Sequence, residues 1–378
     1  MKHFIIPMSF SLALAVPFIT VAATNPPAVS LKTTSLGYPY TKTFQVNVKF
    51  SEPVLGLNPS QVQVTNGAID SITGSGADYI LFIAPMTPGK INITIPVNAV
   101  QSFTNVPNQV SRVLSITALD PLVRPSSNFN LKNWKLTMPL PLGNQSNAII
   151  VTQPTLSGIP AENSGYTKSP YFFTEPAIGA MKFFTPLNGA TTKNSDYPRT
   201  EFSEILNWTI GAYSTHTMVA SVLVSQVPPS KKIVIGQIHH KAVTDAYGNK
   251  VSAKPLFKIT YDLNKLDPNK APCGGCVYGQ VRTIPGQNKY LKIVNLAKNI
   301  PLNKMFIYRL TLLKDGSLTL KVNDSSMTAK INTSKKNTIG WGVQNLYFKA
   351  GLYIIDNGTS NTAGGTVSFY SLQIKHDK

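Results

Sequence analysis

The sequence contains few cysteines and few acidic residues. Its 378 residues include two cysteines and 16 Asp or Glu, against 35 Lys or Arg. Two thiolates are too few for a structural zinc site, which uses four ligands, and no thioredoxin-like βαβ pattern surrounds Cys273-Gly274-Gly275-Cys276. In an oxidising compartment this segment favours a small disulfide loop. A free or redox-active dithiol is the alternative.

Long apolar runs are absent after the first residues. The run from Phe4 to Val21 follows Lys2 and precedes Ala22-Ala23, a pattern typical of a cleaved signal peptide, which we assign to residues 1–23. An uncleaved anchor is the alternative, but Pro7 and Pro17 interrupt the run. No later stretch approaches the roughly 20 apolar residues that cross a bilayer. We therefore expect a secreted or periplasmic protein.

Positive charge is concentrated in the C-terminal part of the chain. The formal net charge is +19, and residues 119–378 hold 29 basic and 13 acidic residues. Such a field attracts a polyanion, whether nucleic acid, lipid headgroups or an acidic polysaccharide. Export disfavours nucleic acid, and no amphipathic basic helix supports a membrane. We expect a monomer that binds an acidic polysaccharide.

The N-terminal part predicts a small β-sandwich. Residues 24–119 contain short alternating strands such as Phe44–Phe50, separated by Pro and Gly. The segment Phe50-Ser51-Glu52-Pro53-Val54 resembles the sequences of bacterial Ig-like domains. A spacer is the favoured role, with sugar or surface binding as the alternative. Residues 120–127 are expected to form a linker.

Residues 128–378 are again rich in predicted strands. Phe306–Leu312 and Leu318–Val322 flank Asp315-Gly316, a strong hairpin signal, and Val367–Ile374 is the last predicted strand. For about 250 residues the pattern favours an all-β jelly-roll, a concanavalin-like two-sheet sandwich whose concave face forms a catalytic groove.

Three segments of this region place polar chemistry on one strand face. They are Arg199-Thr200-Glu201, Gln237-Ile238-His239 and Tyr347-Phe348-Lys349-Ala350-Gly351-Leu352-Tyr353. Successive side chains of a strand point to opposite faces. The side chains predicted to share the groove face are those of Arg199, Glu201, Ser203, Gln237, His239, Tyr347, Lys349 and Tyr353.

The groove residues suit β-elimination better than hydrolysis. Glycoside hydrolysis uses two carboxyl groups, and Glu201 is the only acid in the set. No metal-binding or G-x-S-x-G motif is present. An imidazole is a competent base and a phenol a reasonable proton donor, while a guanidinium and an amide can neutralise a uronate carboxylate.

The catalytic region resembles the alginate lyases of polysaccharide lyase family 7. The resemblance rests on Asn128–Pro139, Phe184–Thr192 and the three segments above. It implies a jelly-roll without metal or cofactor. It also implies that Arg199 and Gln237 neutralise the carboxylate, that His239 is a base and that Tyr353 is the acid or acid/base. Lys349 is implied as a substrate contact.

The remaining groove residues carry less definite predictions. Glu201 and Ser203 are predicted to bind substrate, with orientation of the Arg199 guanidinium a further role for Glu201. Tyr347 is expected either to stack on substrate or to pack, and a structural role is the alternative for Lys349. His240 faces the opposite side and is expected to be structural.

Two departures from the family put the substrate preference in question. The family usually has arginine at the position of Ser203 and glutamine at that of Ile355. Ile238, by contrast, tends to accompany activity on guluronate in this family. We therefore expect endo-acting cleavage of guluronate-containing alginate. A lyase for another uronan such as glucuronan, or a non-catalytic polysaccharide-binding protein, is the alternative.

Overall fold

Regular structure in this protein is almost entirely β-sheet, which confirms the predicted class. The computed structural model describes residues 25–143, 146–244, 250–267, 269–282, 284–286, 292–333 and 340–378. The predicted signal peptide, residues 1–23, lies outside the described residues. Within those residues, no helix has the length and apolar character to cross a membrane.

The N-terminal domain is a sandwich of two four-stranded sheets. Its strands are β1 (Val29–Lys32), β2 (Gly37–Pro39), β3 (Phe44–Phe50), β4 (Gln63–Thr65), β5 (Gly67–Ser75), β6 (Asp78–Pro85), β7 (Gly89–Thr94) and β8 (Leu114–Leu119). The sheet orders are β1-β3-β6-β5 and β2-β8-β7-β4, and only β2 and β8 pair in parallel among these strands. The predicted strand Phe44–Phe50 is confirmed, and its alternating burial buries Val46 and Val48 between the sheets.

The segment predicted as a linker packs against the C-terminal domain. A one-turn helix, α1 (Pro125–Asn128), ends it, and Pro125 and Ser126 are buried. The Arg124 guanidinium donates to the carbonyl of Gly165 at 2.7 Å. Short 3-10 helices occur at Pro59–Gln61, Pro160–Glu162, Ile210–Ala212 and Trp341–Val343.

The C-terminal domain contains two large antiparallel sheets. The eight-stranded sheet has the order β10-β9-β13-β24-β15-β18-β19-β20. Its strands are β9 (Trp134–Pro141), β10 (Ala148–Val151), β13 (Arg199–Glu204), β15 (Lys232–His240), β18 (Phe257–Asp262), β19 (Cys276–Val281), β20 (Lys292–Ala297) and β24 (Leu346–Ile354).

The seven-stranded sheet covers one face of the first. Its order is β11-β12-β25-β14-β21-β22-β23. Its strands are β11 (Phe172–Thr174), β12 (Met181–Pro186), β14 (Thr215–Gln226), β21 (Met305–Leu313), β22 (Ser317–Val322), β23 (Ser325–Lys330) and β25 (Gly364–Asp377). A separate pair is formed by β16 (Val243–Thr244) and β17 (Lys250–Val251). The predicted hairpin at Asp315-Gly316 is confirmed as β21 and β22.

The apolar side of each motif strand faces the other sheet. Phe202, Ile238, Phe348 and Leu352 are fully buried in one core cluster, together with Phe183 of the seven-stranded sheet. Burial of this apolar surface is the main force that joins the two sheets. It also fixes the opposite side chains of the same strands on the outer face of the eight-stranded sheet.

A β-bulge determines the direction of Gln237 and His239. The register of β15 shifts between Val234 and Gly236. Ile235 is buried in the core, and a Cβ on Gly236 would also meet core atoms, including Met218 Cε at 3.1 Å. Two successive residues therefore face inward. Without this extra residue, Gln237 and His239 would share the inward face of Ile235.

Gly351 permits close approach between β13 and β24. Its φ is +129°, a conformation that side-chain-bearing residues rarely adopt. A Cβ there would lie 2.8 Å from the carbonyl oxygen of Thr200 and 3.0 Å from the Cα of Glu201. Glycine is therefore required where these two site-bearing strands meet.

We expect Gly351→Ala to lower the free energy of unfolding by about 1–3 kcal/mol, because the new Cβ adds backbone strain and a clash. Urea denaturation followed by circular dichroism measures the change. Gly211→Ala is the matched control, since its Cβ would meet no atom within 4 Å. It should change stability by less than about 0.5 kcal/mol. Equal stability of the two variants would contradict the packing described for Gly351.

Candidate active site

The three motif segments lie on the adjacent strands β13, β24 and β15. Their cross-strand register places Arg199 opposite Tyr353, and His239 opposite Tyr347. Lys349 has Ser203 on one side and Gln237 on the other. The predicted residues, separated by up to 154 positions in sequence, thus form one continuous polar surface.

Glu201 is the centre of this surface. Its side chain is 1% exposed, so it lies beneath the side chains that reach solvent. One carboxylate oxygen accepts a hydrogen bond from Gln237 Nε2 at 2.5 Å, and the other accepts from Arg199 Nη1 at 3.0 Å and from Lys349 Nζ. This geometry gives Glu201 the role of holding three donors.

The charges around Glu201 determine its protonation state. Burial alone would raise the carboxyl pKa, but the Lys349 and Arg199 charges and the donated hydrogen bonds outweigh it and hold the pKa below 4.5. Burial lowers the pKa of Lys349, which the Glu201 charge opposes. Because the Glu201 pKa is lower in the folded state, this pairing stabilises the fold above pH 4.5, and the contribution is lost as pH falls through the lowered pKa.

Ser195 joins Arg199 to Tyr353. Arg199 Nη2 donates to Ser195 Oγ at 2.6 Å, and the Arg199 guanidinium carbon lies 4.0 Å from the centre of the Tyr353 ring. Ser195 Oγ donates its own proton to the carbonyl of Tyr197 and lies 3.4 Å from Tyr353 Oη. Since its one proton is used there, Ser195 can only accept from the phenol.

Tyr353 is a protonated phenol in this setting. Burial raises its pKa above 10, and the Arg199 charge acts in the opposite direction. The ring packs against the Arg199 guanidinium and against Tyr197, whose ring centre lies 6.3 Å away. These contacts fix the direction of a hydroxyl that can donate a proton.

His239 is a neutral imidazole with a defined tautomer. Burial lowers its pKa well below 6.5, and the Lys349 charge adds to the effect. Its Nδ1 lies 2.9 Å from the carbonyl oxygen of His240. A carbonyl only accepts, so Nδ1 carries the proton and Nε2 carries the lone pair. His239 therefore has the state that a general base requires.

Tyr347 packs beside this base. Its ring stacks on His239 with centres 5.4 Å apart, and its hydroxyl lies 3.3 Å from His239 Nδ1. Burial raises the Tyr347 pKa to about 12, so the phenol is protonated and uncharged. His240, expected to be structural, is fully buried and meets the Trp341 ring edge-on.

The structure adds residues that the motif analysis did not select. Lys135 and Lys349 flank the buried Ser203, and Lys258 and Gln280 continue the same cross-strand row beyond Gln237. Burial lowers the pKa of Lys258 to about 8. The alternation of apolar and polar residues in Phe257-Lys258-Ile259-Thr260 could have predicted that Lys258 lies on the outer face. Ser195 lies in a loop and has no such signal.

The two cysteines of the chain are joined in a disulfide. Cys273 and Cys276 form it, as the sequence favoured, and both are buried beside Tyr278. Among the residues that the structure describes, no group of three or more His, Cys, Asp or Glu has the arrangement to hold a metal ion.

A jelly-roll sandwich with an imidazole, a phenol and clustered cations on one sheet face fits the class of polysaccharide-cleaving enzymes. Residues 129–376 match the alginate lyase family model. The chain belongs to this family and is a polysaccharide lyase. Residues 23–111 match the model of a bacterial Ig-like domain, which confirms the prediction for the N-terminal part.

Individual relatives agree with this assignment. A crystal structure of an alginate lyase from Pseudomonas aeruginosa is 29% identical, with a TM-score of 0.52, over 65% of this chain and 99% of that one. Alginate lyase A1-II′, a member of polysaccharide lyase family 7, is 27% identical with a TM-score of 0.53, over 68% and 100%. An alginate lyase of Klebsiella pneumoniae is 24% identical over 67% of this chain and 91% of that protein.

We expect Ser195→Ala to lower kcat on alginate about 10- to 100-fold, because a hydrogen bond to a charged group is worth roughly 1.5–3 kcal/mol. The substitution would leave Arg199 with its hydrogen bond to Glu201 but without the one to Ser195, and would remove the acceptor beside Tyr353. Steady-state kinetics measures it. Ser195→Thr, which keeps the hydroxyl, is the matched control and should retain most of the rate. A kcat for Ser195→Ala equal to that of wild type would contradict a role for Ser195 in positioning Arg199 and Tyr353.

Proposed function

We propose that this alginate lyase acts by metal-independent β-elimination. The observation that supports this most is the combination of neutral His239 and protonated Tyr353 beside donors held by one buried carboxylate. The base removes the proton on C5 of a uronic acid residue. The electron pair forms the C4–C5 double bond, the C4–oxygen bond breaks, and the departing oxygen receives a proton. The product has an unsaturated uronic-acid end.

The carboxylate next to C5 controls the barrier of this reaction. Removing the C5 proton places a second negative charge beside the carboxylate unless that charge is spread over hydrogen-bond donors. In the proposed mechanism Arg199 and Gln237 supply those donors. Arg199 uses two of its five N–H groups on Glu201 and Ser195. Glu201 keeps these donors in position, so they need no reorganisation during the reaction.

The other predicted residues are assigned supporting roles. Lys349 is proposed to contact the substrate, and its ammonium group offsets the negative charge of Glu201. Tyr347 holds the His239 ring. Ser203 leaves space between Lys135 and Lys349, where the family usually has arginine. We therefore propose that Lys135 supplies the cation at this point of the surface.

Guluronate-containing chains are the proposed preferred substrate, and cleavage is proposed to be endo-acting. Guluronate places the C5 proton and the leaving oxygen on opposite sides of the ring, which requires two groups, and His239 and Tyr353 provide them. The cross-strand row from Lys135 to Gln280 spans six strands, or roughly 24 Å at about 4.8 Å per strand. That length supports binding of an internal stretch of polymer.

Export is proposed from the sequence of residues 1–23 together with the disulfide, which is typical of oxidising compartments. A monomer that acts on polysaccharide, without nucleic acid or membrane, remains our proposal. Mass spectrometry of the N-terminus of the protein recovered from the culture medium or periplasm tests the proposed cleavage.

We expect Tyr353→Phe to reduce kcat on alginate by about 10²–10⁴-fold, the usual contribution of a general acid or base. The polymer affinity should change little, because the substitution removes one hydroxyl and almost no volume. Absorbance of the unsaturated product measures turnover, and calorimetry measures binding. Retention of more than about a tenth of the wild-type rate would exclude Tyr353 as the proton donor.

We expect His239→Ala to lose more rate on polyguluronate than on polymannuronate. In mannuronate the C5 proton and leaving oxygen lie on the same side, so Tyr353 alone can serve both. The two polymers are compared with wild type under identical conditions, with glucuronan as a third substrate. Tyr353→Phe is the matched control and should lose rate on both alginate blocks. Equal losses for His239→Ala, or wild-type activity on polymannuronate alone, would overturn the guluronate assignment.

A further inference from the structure

A second cleft lies on the opposite side of the C-terminal domain from Glu201. It has a volume of about 530 Å³ and lies between the Ig-like domain and the seven-stranded sheet. Pockets of about 300–1,000 Å³ are typical of small-ligand sites. The catalytic surface and this cleft belong to different sheets, so a ligand in one does not occupy the other.

The floor of the cleft carries two like charges side by side. Arg309 on β21 is directly opposite Lys321 on β22, and both side chains are exposed. Like charges directly opposite each other on neighbouring strands destabilise a sheet. Among the described residues neither forms a salt bridge of its own, and the Lys321 charge acts only on Asp324, which pairs with Lys32. An anion placed between them would remove this repulsion.

The Ig-like domain supplies the facing wall. Lys32 pairs with Asp324 at 2.7 Å at one point, and the Leu36 amide donates to Ser221 Oγ at 2.8 Å at another. These contacts connect the β1–β2 segment to the seven-stranded sheet. Thr33 and Thr34 line the cleft between them, and Tyr38 Oη, 2.7 and 3.0 Å from their hydroxyl oxygens, holds this segment in place.

The net charge of the cleft selects the kind of ligand. Asp324 is the one acidic side chain among the described residues that line it, and it is paired with Lys32. Lys304, Arg309 and Lys321 then leave an excess of positive charge. Apolar side chains such as Val219 and Ile307 between them offer surface to the carbon-bound hydrogens of a sugar ring.

We propose that this cleft is a second, non-catalytic binding site for a uronic acid chain. The substrate carboxylates lie between Arg309 and Lys321, and the sugar hydroxyls contact the Ig-like domain. The inference rests on the proposed function only in taking an acidic polysaccharide as the substrate. A polymer held here has a raised effective concentration at the catalytic surface. The Ig-like domain is thereby part of a binding site and more than a spacer.

The full-length Tyr353→Phe protein provides the binding test, because it is expected to bind without cleaving. Calorimetric titration with an alginate tetrasaccharide at low salt should give two sites per chain. Adding Arg309→Gln and Lys321→Gln should leave one. Lys90→Gln with Lys314→Gln is the matched control, with the same charge change on exposed lysines of each domain, and should keep two. One site before substitution, or two after Arg309→Gln and Lys321→Gln, would overturn the proposal.

Kinetics with Tyr353 intact separates this inference from the catalytic proposal. Arg309→Gln with Lys321→Gln should raise KM on long polymer about 3- to 30-fold, the effect of losing two exposed ion pairs. Its kcat on tetrasaccharide should equal wild type, and thermal unfolding should show no loss of stability. An unchanged KM on polymer would overturn the second site while the lyase activity stands. Equal binding of a sulfated tetrasaccharide would overturn its assignment to uronate.

Discussion

The buried carboxylate of Glu201 is the interaction on which the catalytic surface depends. It holds donors from three strands, two of them cations that would repel each other without it. Removing one partner of a buried ion pair commonly costs about 3–5 kcal/mol, because the other charge is left unpaired. Arg199, Gln237 and Lys349 can therefore occupy fixed positions in a protein whose net charge is +19.

The sheet provides the second constraint. The cross-strand register fixes the position of each site residue along its strand. The side chains on the opposite face of the same strands pack into the core. The bulge at Ile235-Gly236 shows how narrow this constraint is, because one residue of β15 that has no partner on β18 decides whether Gln237 and His239 face the core or the outer polar surface. Gly351 then allows β13 and β24 to approach closely at the point where it lies opposite Glu201.

Burial and charge together separate the protonation states of neighbouring groups. His239 lies close to Lys349 and remains neutral, because burial and the neighbouring cation both oppose a further positive charge. Tyr353 remains protonated because burial opposes the phenolate. A neutral imidazole and a protonated phenol can therefore coexist near neutral pH within a strongly basic domain. On the far side of the domain, the charges of Arg309 and Lys321 are exposed and keep their attraction for anions.

The sequence by itself determined the fold class, the strands and the residues that share the outer face. Strand alternation is local, so Arg199, Glu201, Lys349 and Tyr353 could be assigned to one side from their spacing. The family resemblance then indicated the type of reaction. The Ig-like domain and the disulfide were also predictable, because turn-separated strands and a short cysteine spacing are local patterns.

Only the tertiary structure decided how these residues contact one another. Glu201 joins Gln237 and Lys349, which lie 36 and 148 positions away, and no local pattern shows that it is buried. Ser195 comes from a loop, and the cleft beside Arg309 requires two domains to meet. The bulge in β15 depends on core side chains from other strands. These features follow from packing between distant segments, which local periodicity does not encode.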